Sequence, residues 1–170
     1  SASDATTLEV HELLYLISKI KISEIMTKDP VTVPPDFTVE ETAEVLLGSK
    51  ISGVPVVDYA GKVVGTITQT DLFKVLVSLT GLSKRGILFA FKLKDEPGSI
   101  KEITDIIRKY GGRMASILSS YEGVPDGYRM AYIRMYAVDR GNIPQLKEEL
   151  REKAALLYMV DLRENKREIF

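Results

Sequence analysis

Gly65-Thr66-Ile67-Thr68-Gln69-Thr70-Asp71 places two hydroxyls and a carboxylate in the last four positions of one heptad. The apolar run Leu72-Phe73-Lys74-Val75-Leu76-Val77 follows at once, and the β-branched pair Val63-Val64 precedes it. This reads as a strand end, a short polar turn and a helix start. Thr70 or Asp71 is placed to cap that helix. Backbone N–H groups at a helix start point outward, and the helix dipole favours anions there. Such chemistry suits a ribose phosphate: hydroxyls and amides for the phosphate, and a carboxylate to accept from ribose hydroxyls. On these residues alone, a capped turn with a solvated polar tip is the plainer explanation of the pattern.

The rest of the composition removes most other chemistry. The chain has 170 residues, no cysteine and one histidine, His11. Thiol nucleophiles, disulfides, thiolate zinc sites and multi-histidine metal sites within one chain are therefore excluded. The sequence shows no nucleophile–base pair and no Gly-Lys-Ser/Thr phosphate loop, and Glu40-Glu41 and Glu148-Glu149 read as acids on helix surfaces facing water. No catalytic residue, metal or cofactor is predicted, and the chain is not expected to be an enzyme. A net charge of −1 and a pI near 5.9 provide no basic field for nucleic acid. No apolar run approaches the roughly 20 residues that span a bilayer. With cysteine absent, the expectation is a cytoplasmic protein. The chain opens on Ser1 rather than Met, which suggests a piece of a longer protein.

The elements that must position the heptad follow from periodicity. Residues 1–7 are small, polar and expected to be loose. Leu8 to Ile20 approximates a helix with a broad apolar face that needs a cover, and His11 lies on it as a surface or interface side chain. Ser23 to Met26 forms a turn, and Val31-Thr32-Val33 a short β run closed by Pro34-Pro35. Thr38 opens a helix with Glu41 three residues on, a capping box. Val39, Ala43, Val45, Leu46 and Leu47 give its buried side, and Gly48 begins its end. Val54 to Val57 and Lys62 to Ile67 form a hairpin about Tyr59-Ala60-Gly61. The next helix is expected to run from Asp71 to about Thr80 and to stop at Gly81.

A boundary is expected over Gly81 to Gly86, and then the pattern restarts. Ile87–Leu93, Met114–Tyr121, Tyr128–Val138 and Ala155–Leu162 read as strands. In the third, Tyr128, Met130, Tyr132, Arg134 and Tyr136 share one face, and Arg129, Ala131, Ile133, Met135 and Ala137 the other. One helix, with face Ile100, Ile103, Ile106, Ile107 and Tyr110, ends at Gly111-Gly112. A second is expected over Ile143–Lys153, capped by Asn142. The charged residues from Arg163 are expected to fray. β-α-β-β-α-β in this order makes an antiparallel sheet with both helices on one face, the ferredoxin-like plan.

Gly65–Asp71, together with Gly53-Val54-Pro55-Val56-Val57-Asp58, Ile25-Met26-Thr27, Asp29 to Val33 and Thr38 to Leu47, resembles a cystathionine-β-synthase (CBS) motif. The resemblance covers residues about 22–80 and implies half of a CBS module, β-α-β-β-α. In that family two motifs pair into a flat module that binds adenine nucleotides in its clefts. Carried over, Asp71 would bond ribose hydroxyls, and Thr68 and Thr70 would reach ribose or phosphate. Val33, Ile51, Val54 and Pro55 would line the adenine pocket. The turn itself has no cation, so Lys50, Lys74 or another motif would meet the phosphate charge. A second Gly-x-x-Thr-x-x-Asp is absent from the sequence. Residues 1–21 are similar to the linker and helix that join two such motifs: either a first motif has been cut away or two chains each donate one, and a homodimer is expected.

Residues about 85–163, through Asp95-Glu96-Pro97-Gly98-Ser99-Ile100 and Gly111-Gly112-Arg113-Met114, resemble an ACT domain. ACT domains pair side by side and often bind amino acids near the first strand-to-helix turn. Asp95, Gly98, Ser99 and Arg113 would be the contacts here, although the family's amino-acid binders often carry Asn near the position of Arg113. The expected layout is an α+β chain: linker and helix 1–21, CBS motif 22–81, ACT domain 85–163 and tail 164–170. In order and linker text it is similar to acetoin-utilisation-type CBS–ACT regulatory proteins. The implied function is a regulatory sensor binding an adenine nucleotide and, at the second part, an amino acid, dimeric through both parts. The alternative is a ligand-free dimerisation module that regulates a partner protein.

Overall fold

The computed structural model describes residues 2–170, with side chains from Val10 onward. Contacts divide the chain into two compact units, 1–72 and 73–170. The first unit starts with α1 (Ala2–Lys19) and the single-turn α2 (Ile22–Ile25). α1 begins well before the expected Leu8, since no proline or glycine interrupts the sequence from Ala2 onward. Of the expected β run at Val31–Val33, only Val33 pairs, in one parallel bridge to Val56. Val33 N–H donates to Pro55 O at 3.1 Å, and Val57 N–H to Val33 O at 2.9 Å.

α3 (Val39–Ser49) opens on the expected capping box. Glu41 N–H donates to Thr38 Oγ1, and Thr38 N–H to Glu41 Oε2 at 2.7 Å. Its end begins at Gly48 as expected: the helix stops after Ser49, and Lys50 closes it in the left-handed conformation, φ 55°. Leu47 is corrected, since it is 73% exposed. An antiparallel hairpin of β1 (Gly53–Val57) and β2 (Val63–Thr68) follows. The core of this unit is small. Val33, Leu46 and Val54 are fully buried, and Val45, Ile51, Val56, Ile67 and Leu72 pack on them. α4 (Gln69–Leu79) continues from β2 and crosses the division after Leu72.

The second unit carries a five-stranded antiparallel sheet. Its strands are β3 (Ile87–Lys94), β4 (Arg113–Ser120), β5 (Tyr128–Tyr136), β6 (Ala155–Asp161) and β7 (Lys166–Ile169), in the order β4-β5-β3-β6-β7. α5 (Ser99–Lys109) and α6 (Ile143–Lys153) pack on one face. The first four strands and the two helices make the expected ferredoxin-like β-α-β-β-α-β plan, so the chain is α+β. Its core is Phe89 and Phe91 of β3, Ile103 and Ile107 of α5, Ala131, Ile133 and Met135 of β5, and Leu146 and Leu150 of α6, with Met159. Three β5 residues expected to share a face, Ala131, Ile133 and Met135, thus meet the helices.

Three expectations in this unit are corrected. The charged tail does not fray: β7 pairs with β6, Tyr158 opposite Ile169 and Asp161 opposite Lys166. Asn142 does not cap α6 with its side chain. Instead a 3₁₀ turn, Arg140–Asn142, precedes the helix, and Asp139 caps that turn by accepting from Gly141 N–H at 2.9 Å. Glu149 does not simply face water, because its carboxylate accepts from Lys109 Nζ and from the Tyr110 hydroxyl at 2.8 Å.

Candidate functional site

The Gly65–Asp71 heptad forms a strand-to-helix turn, but its cap lies elsewhere than expected. α4 begins at Gln69, so Thr68 occupies the cap position and Asp71 the third helical position. Asp71 N–H donates to Thr68 Oγ1 at 3.3 Å. The Asp71 carboxylate accepts from Thr68 N–H at 3.1 Å and from the Thr68 hydroxyl at 2.6 Å. This is a reciprocal capping box with aspartate in the acid position. It corrects the assignment of the cap to Thr70 or Asp71. Thr70 is exposed on the first turn.

A second set of bonds fastens the turn to the loop before β1. Gln69 N–H donates to Ser52 O at 2.9 Å, and Gln69 Nε2 to Ile51 O at 3.4 Å. Gly53 pairs opposite Thr68, and a Cβ there would lie 3.3 Å from both Ile67 O and the Thr68 methyl. The structure therefore brings Ile51, Thr68 and Asp71 together, with Thr70 beside them on the turn. Pro55, opposite Thr66, is half-buried. Val33 and Val54 are 3% and 2% exposed, so their side chains form the floor under the turn rather than an open wall. What the arrangement offers chemically is a carboxylate and hydroxyls at a helix N-terminus, held rigidly above a small apolar floor.

In the second unit one of the four expected contacts, Arg113, separates from Asp95, Gly98 and Ser99. Gly98 takes φ 94° at the start of α5, where no side chain caps the helix. Ser99 and Asp95 are joined by Arg129, which the sequence reading did not select. Arg129 Nη2 donates to Ser99 Oγ at 3.1 Å, and Nε lies 3.5 Å from Asp95 Oδ1. An arginine at the start of a strand face otherwise made of Ala131, Ile133 and Met135 was the available signal. Arg113 is corrected. It sits opposite Tyr136 at the start of β4, at the Ile87 end of the sheet, whereas Asp95 follows the Lys94 end of β3. Seven residue steps of strand separate those ends, on the order of 23 Å. Near Ser99 a cleft of about 410 Å³ opens among Lys92, Lys94, Glu96, Glu102 and Lys153. Lys153 and Glu102 pair at 3.0 Å across it.

The charged groups of the β6–β7 corner are tightly engaged. Burial pushes the Asp161 carboxyl up, but Arg140 and the N–H groups of Arg163 and Glu164 outweigh it, and its pKa falls below the ordinary range. Hydrogen bonds from Lys147 and Lys166 hold Glu168 low. Among the described residues no group of three or more His, Asp or Glu could hold a metal ion. No helix of the described residues is long and apolar enough to cross a membrane.

Comparison with known proteins agrees with this geometry over the first part of the chain. Residues 22–78 match the CBS domain family. An inosine-5'-monophosphate dehydrogenase from Aquifex aeolicus is 47% identical over 57 residues, 33% of this chain and 12% of that protein. An uncharacterized protein of Methanocaldococcus jannaschii is 32% identical over 78 residues, 46% of this chain and 41% of that protein. The chain spans between about a tenth and just under half of the length of the first curated relatives it matches, from 11% to 45%. Among solved structures, CBSX2 in complex with AMP is 32% identical, over 45% of this chain and 59% of that one, with a TM-score of 0.33. The ACT domain of a GTP pyrophosphokinase from Chlorobium tepidum is 16% identical, over 48% of this chain and 95% of that one, with a TM-score of 0.34. Neither superposition is close enough to bear on function. Residues 22–78 of this chain, which hold the Thr68–Asp71 turn, are a CBS domain.

Proposed function

We propose that the protein is a regulatory ligand sensor, not an enzyme, whose CBS domain binds an adenine nucleotide of the AMP, ADP or ATP type. The observation that supports this most is the Thr68–Asp71 box, fixed by Gln69 to Ile51 and Ser52 at the start of α4. Asp71 accepts from the ribose hydroxyls, Thr68 and Thr70 contact ribose or phosphate, and Ile51 and Pro55 flank the base over the floor of Val33 and Val54. Lys50, beside Ile51, and Lys74, three residues after Asp71, are the cations offered to the phosphate.

Two copies complete the module. Leu13, Leu14, Tyr15, Leu16 and Ile17 of α1 are each more than half exposed, as are Phe73, Leu76 and Leu79 of α4. Apolar surface of that extent, beside a core of three fully buried side chains, favours a homodimer. The second unit, on the ACT-like reading, pairs as well and offers an amino acid the Asp95–Gly98–Ser99 turn, with Arg129 as its cation in place of Arg113. The arrangement as a whole is that of an acetoin-utilisation-type regulator acting in the cytoplasm.

Thermal unfolding of the full chain with AMP, ADP, ATP and S-adenosylmethionine tests the reading. A ligand at 100 times its dissociation constant adds about 2.7 kcal/mol, a shift of several degrees. No shift with any of the four would refute the nucleotide site and favour a ligand-free dimerisation module.

A further inference from the structure

The C-terminal end of α4 is held in an unusual way. Thr80 N–H continues the helix by donating to Leu76 O, and the Thr80 hydroxyl folds back onto Val77 O at 2.8 Å. The Thr80 carbonyl faces the sheet and accepts twice, from Arg134 Nε at 2.7 Å and from Ser116 Oγ at 2.8 Å. Ser116 and Arg134 are cross-strand partners on β4 and β5. Gly81 then turns at φ 64° against Ala115, and a Cβ at Gly81 would lie 2.8 Å from that of Ala115. The backbone approach leaves no room for another residue.

Arg134 is the costly member of this set. It is 6% exposed, and its Nη1 is buried with no hydrogen-bond partner. Burial pulls its pKa down. A buried guanidinium with an unsatisfied nitrogen is destabilising unless its remaining interactions are strong. Its Nε hydrogen bond ends on a helix C-terminal carbonyl, the negative end of the helix dipole. The other end of the same eleven-residue helix is the Thr68–Asp71 turn.

We propose that Arg134 and Ser116 clamp the end of α4 to the ferredoxin-like sheet, and that this clamp is felt through the helix at the Thr68–Asp71 turn. Its regulatory meaning rests on the nucleotide reading, because a ligand that favours one setting of the turn then favours one setting of the clamp. The clamp itself is independent of any ligand.

Amide hydrogen exchange of the full chain without nucleotide, compared with Arg134→Met and Ser116→Ala, decides the matter. Arg134→Met is expected to accelerate exchange at residues 76–82 and at 69–72 by tenfold or more, with α5 and α6 unchanged. Ser116→Ala accelerates the same amides less. Unchanged exchange at either end of α4 in Arg134→Met, a silent Ser116→Ala, or equal acceleration throughout α5 and α6 would overturn the proposal. In a further arm with AMP, protection of 69–72 in the unsubstituted chain is expected to extend to 76–82, and to stop short of it in Arg134→Met. Protection that reaches 76–82 equally in both chains overturns the clamp. AMP that protects nothing contradicts the nucleotide reading alone, since the ligand-free comparison has already decided the clamp.

Discussion

At the scale of single residues, Thr68 and Asp71 do two things at once. Each satisfies an orphan donor at the start of α4, and each presents polar atoms on the turn. Thr68→Ala is expected to cost about 1 kcal/mol, measured by chemical denaturation. Thr70→Ala, at an exposed position outside the box, is expected to leave stability unchanged while weakening any AMP-induced shift. The two threonines thereby separate capping from binding. The spacing Thr68-x-x-Asp71 is itself a readable cap signal; the sequence reading missed it by starting the helix at Asp71. Gly86 was not readable in this way. A Cβ there would stand 1.8 Å from Met135 O, a contact set by the packing of β3 on β5 that no local pattern records. Gly86→Ala is expected to destabilise the second unit by about 2 kcal/mol or more.

At the scale of elements, β7 shows where periodicity fails. Lys-Arg-Glu-Ile is short and charged, so it carries no apolar alternation. What orders it is a set of partners from distant elements: Lys147 of α6 reaches Glu168 at 2.8 Å, and Arg140 reaches Asp161 beside the turn. Asp161 and Glu168 both have depressed folded-state pKa values. Their stabilisation is therefore full above the unfolded carboxylate values of about 3.9 and 4.3 and is lost as pH falls through the lower folded values. Amide protection of β7 should hold from neutral pH down to those unfolded carboxylate values and be lost progressively below them, ahead of β3 and β5. Coincident loss in all strands would contradict this. The core strands and both helices of this unit were legible because apolar residues recur at strand and helix periods over eight to eleven positions. Arg113 was misplaced because the resemblance set it among the contacts of the first strand-to-helix turn, and α5 carries it to the opposite end of the sheet.

At the scale of the whole molecule, the two units differ in self-sufficiency. The second buries Phe89, Phe91, Ile107, Leu146 and Leu150 completely, and Leu150→Ala is expected to cost about 2–5 kcal/mol by denaturation. The first has a three-residue apolar core and an α1 whose described side chains, from Val10 on, are exposed. A chain whose first unit is completed by a second copy should sediment as a dimer, with a midpoint of unfolding that rises with protein concentration. Leu14→Glu on α1 is expected to shift the population toward monomer. A monomer at all concentrations, for the unsubstituted chain, would remove the dimer from the account.

Nucleotide binding at the Thr68–Asp71 turn is tested by calorimetric titration of the full chain with AMP, side by side with Asp71→Ala. Saturable binding to the unsubstituted chain is expected, and at least tenfold weaker binding to Asp71→Ala, with the variant still folded by circular dichroism. Equal affinity in the two chains, or no heat of binding in either, would contradict it.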